Sequence, residues 1–273
     1  MGDGAFFLAL GAIAIVLMVG TPLLKRMFPG LFLLRLQRQQ LAVVTRYFQY
    51  HGQLPPEERR RFEHLVASFL NAKEWRGVGV ELKDEMRVMI SASAAQLLFG
   101  LPDLTLMHFD RILVYDDAYE HHRTGRMHQG EVNPEAGIIR ISWAHFLEGY
   151  ARPGDAHNVG LHEMAHALWF EDIIPNAEDD FLDRRLLERW KVLAQEEIER
   201  IRAGKDAVFR TYAGTNQEEF FAVAVEYFFE QPGFFAAHRP ALYDLLRSLL
   251  RQDPAAGMAG PPQKQSAPAG RGT

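Results

Sequence analysis

The sequence predicts an α+β fold, mainly helical with a small β-sheet, preceded by one transmembrane helix. Three observations predict it. Apolar residues recur at helical spacing along most of the chain, two short β-rich runs interrupt them between Leu104 and Trp143, and an uncharged apolar run opens the sequence. The 273 residues provide ample material for a core. Charged residues make up 24% and apolar residues 48%, an ordinary globular composition. The net charge of -5 gives no reason to expect a general nucleic-acid binder. The chain has no cysteine, which excludes a disulfide scaffold, a thiolate metal site and a cysteine nucleophile, and fits a reducing compartment.

No charged residue stands between Gly4 and Leu24, a run long enough to cross a hydrocarbon core of ~30 Å. A cleaved signal peptide and a hydrophobic interaction helix are the competing readings, but only Asp3 and the terminal amine precede the run, where a signal peptide needs a basic start. Lys25, Arg26, Arg35 and Arg38 follow it, and the positive-inside rule keeps that flank cytoplasmic. The expected organisation is an anchor with its basic flank at 1–30, a folded domain at 31–253 and a disordered Pro/Gly/Ala-rich tail at 254–273. The anchor would cross the inner membrane once through residues 4–24 and hold the domain on the cytoplasmic side. A purely cytoplasmic protein is the alternative.

In the body, Leu41, Val44, Tyr47 and Phe48 keep helical spacing, and Pro55-Pro56 stops that helix and opens the next. Phe62, Leu65, Val66 and Phe69 share one face of the second helix. "RGVGV" reads as a short strand or turn, and "LKDEMRVMISASAAQLLFGL" as a helix whose small central residues allow close packing. "FDRILVYDDAY" and "GIIRISW" read as strands bounded by Pro, Gly and Asp. "DDFLDRRLLERWKVLAQEEIERIRAG" is a charged amphipathic helix with a solvated outer face. "TNQEEFFAVAVEYFFEQP" is another helix, with Thr215 or Asn216 as its N-cap, and "RPALYDLLRSLLRQD" is the last.

"GLHEMAHALWFED" carries the chemistry. His162 and His166 lie four apart on a helix, about 40° apart around its axis, so both face the same way. Imidazoles at that spacing can each give one nitrogen to a single Zn²⁺ at ~2.0–2.1 Å, and Glu163 then stands beside the ion as a general base. A core helix with satisfied histidines is the competing reading. A catalytic zinc takes a third protein ligand. Asp172, six after His166, is one candidate, but the glycine that would turn the chain towards it is replaced by Trp169. Glu218, Glu219 and Glu226 on the later helix are the others, of which Glu218 and Glu219 point about 100° apart. Tyr212, seven before Glu219, could donate a hydrogen bond to an oxyanion.

"HNVGLHEMAH" and "EEFFAVAVEYFF" closely resemble the Mlc titration factor A family of zinc metallopeptidases. "LPPEERRRFEHLVASFLNAKEW", "GIIRISW" and "RPALYDLLRSLLRQDP" resemble its other landmarks, so the similarity runs from about Leu41 to Pro254. "YAGTNQEEFF" is also similar to the matching segment of lethal-factor-type gluzincin domains. There the zinc glutamate precedes a Phe-Phe pair and follows a catalytic tyrosine by seven residues. The resemblance implies a gluzincin-type domain with a small mixed sheet at 31–253. It implies one Zn²⁺ held by His162, His166 and Glu219, with Glu163 as base and Tyr212 as oxyanion donor. Glu226, seven after Glu219 and roughly on its face, is a candidate to steady a ligand from behind, alongside Glu171 and Asp172. The family commonly has an acidic residue where Trp169 stands, and its founding member lacks an anchor.

The implied activity is hydrolysis of peptide bonds by a metal-activated water, on peptide or protein substrates. The alternative is a regulatory binding protein that sequesters a transcription regulator or other partner, with weak peptidase activity. No nucleic-acid partner is expected. "GIIRISW" is the expected sheet edge for an extended peptide, with an ordinary sheet strand as the alternative.

Overall fold

A computed structural model gives the fold and describes residues 34–101, 105–120, 125, 127–173, 182–205 and 208–257. Two compact units divide the chain, Met1–Arg35 and Leu36–Thr273, and only Leu34 and Arg35 of the first are described. The predicted span at 4–24 therefore lies outside the described residues. Among those described, no helix is long and apolar enough to cross a membrane.

The second unit begins with three helices, α1 (Arg38–Tyr47), the short α2 (Gln49–Gln53) and α3 (Pro56–Ala72). Pro55 and Pro56 stand where the pyrrolidine ring suits a helix start, and Glu57 and Glu58 in the first turn complement the helix dipole. β1 (Glu74–Val78), α4 (Asp84–Leu98) and β2 (Arg111–Tyr115) follow as a βαβ unit with β1 and β2 parallel. Met86 and all residues from Val88 to Leu98 are buried in α4, as its small centre (Ser91, Ala92, Ser93, Ala94, Ala95) allows.

A two-residue hairpin, β3 (Tyr119–Glu120) with β4 (Met127–His128), leads to β5 (Gly130–Asn133) and β6 (Ile138–Ser142). The main sheet runs β1-β2-β6-β5, with β5 antiparallel at one edge. This corrects the expectation that "GIIRISW" forms an edge. β6 is bonded on both sides, to β2 and to β5. The reason is visible in its side chains: Ile138, Ile139, Ile141 and Ser142 are all buried, and a strand apolar on both faces belongs inside a sheet. The edges are β1 and β5, and the polar "GEVN" of β5 gave no strand signal.

α5 (Trp143–Ala151) follows, capped by Ser142, and then α6 (Val159–Ile173), the helix of the two histidines. α7 (Arg184–Arg202) is amphipathic as expected, burying Leu187, Trp190, Ala194, Ile198 and Ile201 and starting at Asp183, whose carboxylate accepts from Arg185 N and Leu186 N. A 3₁₀ turn (Thr211–Gly214) precedes α8 (Gln217–Glu230), and α9 (Pro232–His238) and α10 (Pro240–Leu250) complete the fold. Residues 254–256, expected in the tail, instead form a turn in which the Asp253 carboxylate accepts from Ala256 N. The remainder of the expected tail, from 258, lies outside the described residues.

α6 is the centre of the molecule. It packs along α8 and against α4, with β5 and β6 beside it. Trp169 is buried against Phe221 of α8 with ring centroids 5.2 Å apart, so the departure from the family pattern is a core residue. Gly160 lets α5 come close: a Cβ there would lie 2.5 Å from a Phe146 ring carbon.

Candidate metal centre

Asn158 starts α6, its side-chain oxygen accepting from Leu161 N at 3.0 Å, and Asn216 starts α8 in the same way, accepting from Glu219 N at 2.7 Å. The two caps set where each helix begins, and with it which turns face each other. His162, His166 and Glu219 meet at that junction. His162 Nε2 and His166 Nε2 are 3.1 Å apart, and Glu219 Oε2 lies 3.2 Å from the first and 3.3 Å from the second.

That triangle fits a metal by its chemistry and its size. Three ligands of a tetrahedral zinc at ~2.0–2.1 Å stand roughly 3.3–3.4 Å from one another, close to the sides observed. The donor set is two neutral-capable imidazoles and one carboxylate, which suits zinc. Each imidazole directs the same atom, Nε2, to the common point. His162 donates through Nδ1 to Glu226 Oε1 at 2.7 Å, the arrangement that leaves Nε2 free to bind. Burial works against charge on His162, but Glu226, Glu219 and Glu163 outweigh it and push its pKa up to about 10. Burial likewise opposes the Glu219 charge, and the hydrogen bonds from both imidazoles still hold its carboxyl well below the usual range.

Glu163 lines a cleft of about 780 Å³ together with Glu226, Tyr212 and residues 127–130. It is 5% exposed, and its Oε2 accepts no hydrogen bond. Burial, with help from the Glu219, Glu226 and Glu131 charges, pushes its pKa up to about 8. The backbone of β5 passes directly over it. A Cβ on Gly130 would lie 2.5 Å from Glu163 Cγ and Cδ, so only glycine leaves room for the carboxylate. Tyr212 sits on the 3₁₀ turn, half-exposed, with its ring centroid 6.1 Å from that of His162. Burial and the Glu219 carboxylate raise its phenol above the ordinary value, so it stays a protonated donor.

The other carboxylates named from sequence lie elsewhere. Asp172 accepts from Leu182 N at 3.0 Å at the far end of α6, so it is not a ligand here. Glu171 accepts from His108 N. Neither supports the imidazoles, and Glu226 does. Three residues of the site escaped sequence reasoning: Gly130, Asn158 and Arg210, whose guanidinium donates to Glu226 Oε1. Asn158 had a signal, because an Asn just before an apolar helix is a cap. Gly130 had none, and Arg210 had none beyond its nearness to Tyr212.

Relatives carry the same body. The chain is 29% identical over 228 residues to the Mlc titration factor A of Pectobacterium atrosepticum, covering 74% of this chain and 82% of that one. It is 28% identical over 225 residues to the Mlc titration factor A of Salmonella arizonae, covering 74% and 86%. An uncharacterized protein of Synechocystis is 28% identical over 229 residues, covering 78% and 83%. Residues 33–251 match the family described as glucose-regulated metallo-peptidase M90. A match over that span, with two histidines and a glutamate close enough to hold a metal, leads to one conclusion: the chain belongs to the glucose-regulated metallo-peptidase M90 family.

Proposed function

We propose that the protein is a zinc-dependent peptidase that hydrolyses peptide bonds with Glu163 as general base. The observation that carries this reading is the His162–His166–Glu219 triangle with an unpartnered buried carboxylate beside it. His162, His166 and Glu219 would hold the ion. Zinc, when bound, supplies a Lewis acid that polarises a carbonyl and brings the pKa of a water towards ~7. Glu163 takes a proton from the attacking water and returns it to the leaving amine, a task suited to a carboxyl raised towards neutrality. Tyr212 donates to the carbonyl oxygen as negative charge develops on it. Glu226 keeps the His162 ring turned with Nε2 towards the ion. The free side of β5 receives the substrate as an added strand, with the scissile bond over Glu163. Residues 4–24 anchor this domain to the cytoplasmic face of the inner membrane.

The test is metal content measured beside turnover. Glu219→Ala loses zinc and Asp172→Ala retains it, while the wild-type chain cleaves a peptide library in a chelator-sensitive way. A zinc-loaded wild type that cleaves nothing sinks the peptidase reading. One observation favours a second reading: several relatives are named for titrating Mlc, a name for a binding protein. On that reading the protein sequesters a regulator and cleaves slowly, and partner binding survives chelation.

A further inference from the structure

We infer that Arg210 is the positioning residue of this site, fixing the His162 imidazole through one hydrogen-bonded ring; its bearing on metal affinity rests on the zinc reading above. Glu226 is 1% exposed, and three donors converge on it. His162 Nδ1 and the Arg210 guanidinium both donate to Oε1, and Asn158 N donates to Oε2 at 2.7 Å. The oxygen that orients the imidazole is therefore the one the guanidinium pins.

The other terminal nitrogen of Arg210 donates to Ala156 O at 2.5 Å. Ala156 is buried and held at φ +59°, a left-handed conformation that is unfavourable for a residue with a Cβ. Two residues later the same loop delivers Asn158 N to Glu226 and the Asn158 cap to α6. Arg210, Ala156, Asn158 and Glu226 thus close a ring around the first metal-facing imidazole. The main chain of Arg210 completes the picture: its carbonyl accepts from Ala213 N at 3.0 Å and starts the turn that carries Tyr212. Arg210 serves Ala156 and Glu226 from two separate nitrogens of one planar fork, whereas a lysine would bring a single point donor on a flexible stem.

The test uses the full chain. In proton NMR of the metal-free protein, a hydrogen-bonded imidazole N–H resonates far downfield; such a signal, absent in His162→Gln, is expected for the wild type, and its absence overturns the inference. Zinc affinity is measured by competition with a chelator. Folded Arg210→Met is expected to lose or shift the downfield signal and to bind zinc about 10–100-fold more weakly, the usual effect of removing a group behind a ligand. Wild-type signal and wild-type affinity in that variant overturn the inference. Should Arg210→Met not fold, Arg210→Lys decides: a smaller loss of affinity with a shifted signal supports the ring, and wild-type values overturn it. A purely structural arginine would lower the melting temperature and leave both readouts of the folded protein untouched. If the wild type binds no zinc yet its downfield signal depends on Arg210, the zinc reading fails and the ring stands. If zinc binds through Glu219 and Arg210→Met binds it equally well, the ring fails and the zinc reading stands.

Discussion

The two ends of α6 bury glutamates in opposite ways. Near the start, Glu163 opens onto a cleft, and its Oε2 accepts no hydrogen bond. Near the end, Glu171 is 1% exposed and both of its oxygens accept from His108 N at 3.2 Å. Lys73 lies on that side, its ammonium donating to Leu106 O at 2.6 Å and standing 4.8 Å from the Phe69 ring. Burial raises the pKa of both glutamates. What separates them is satisfaction. A buried carboxylate with its lone pairs used ties a loop to a helix, whereas one left open towards a cleft is poised to exchange a proton.

The strongest way to break this contrast is Glu163→Gln. It should retain zinc and lower turnover by about 10²–10⁴-fold, the range for removing a general base. Wild-type turnover in that variant, with metal bound, would place the chemistry elsewhere. Gly130→Ala comes next. The added methyl meets the Glu163 side chain, so the base must move, and a shift of about 1 Å can cost roughly 10²-fold in kcat. Zinc content should stay at the wild-type level, and an unchanged kcat would show that β5 can yield.

At the other end, Lys73→Met removes the charged donor to the buried Leu106 carbonyl and leaves it only Phe109 N at 3.1 Å. It should cost about 1–3 kcal/mol in denaturant unfolding and leave zinc affinity alone. A Lys73→Met protein that is folded but zinc-deficient would mean that the two ends of α6 are not separable.

The smallest effect concerns Glu230 on α8, which accepts from Asn158 Nδ2 at 3.1 Å and whose pKa burial pushes up to about 7. Its folded value lies above the unfolded 4.5, so its contribution is complete below that value and is lost as pH rises through about 7. Glu230→Gln, always neutral, should match the wild-type melting temperature at pH 4 and exceed it at pH 8. Equal melting curves at both values would show that the buried charge costs nothing.

Sequence patterns made one half of the centre legible and left the other half hidden. Helical spacing alone aligned His162 with His166 and Glu219 with Glu226, and Asn216 announced the start of α8. Those inferences succeed because a helix fixes the relation of residues three, four and seven apart before any packing occurs. The register between α6 and α8, the close pass of β5 over Glu163 and the three-sided grip of Arg210 depend on tertiary contact, for which no local period exists. β6 failed in a more instructive way. Its run of isoleucines pointed to an interior strand, and a sheet edge lies in the polar "GEVN" next door.

The position of β5 carries a further consequence. A strand whose amides and carbonyls stand ready for an incoming chain will accept a neighbouring copy as readily as a substrate, and self-association is the hazard of such an edge. β5 limits the hazard by being four residues long, with a glycine at one end and Glu131 tied across the sheet to Arg140 at 3.2 Å. So short a ladder gives two proteins too few rungs to cling together.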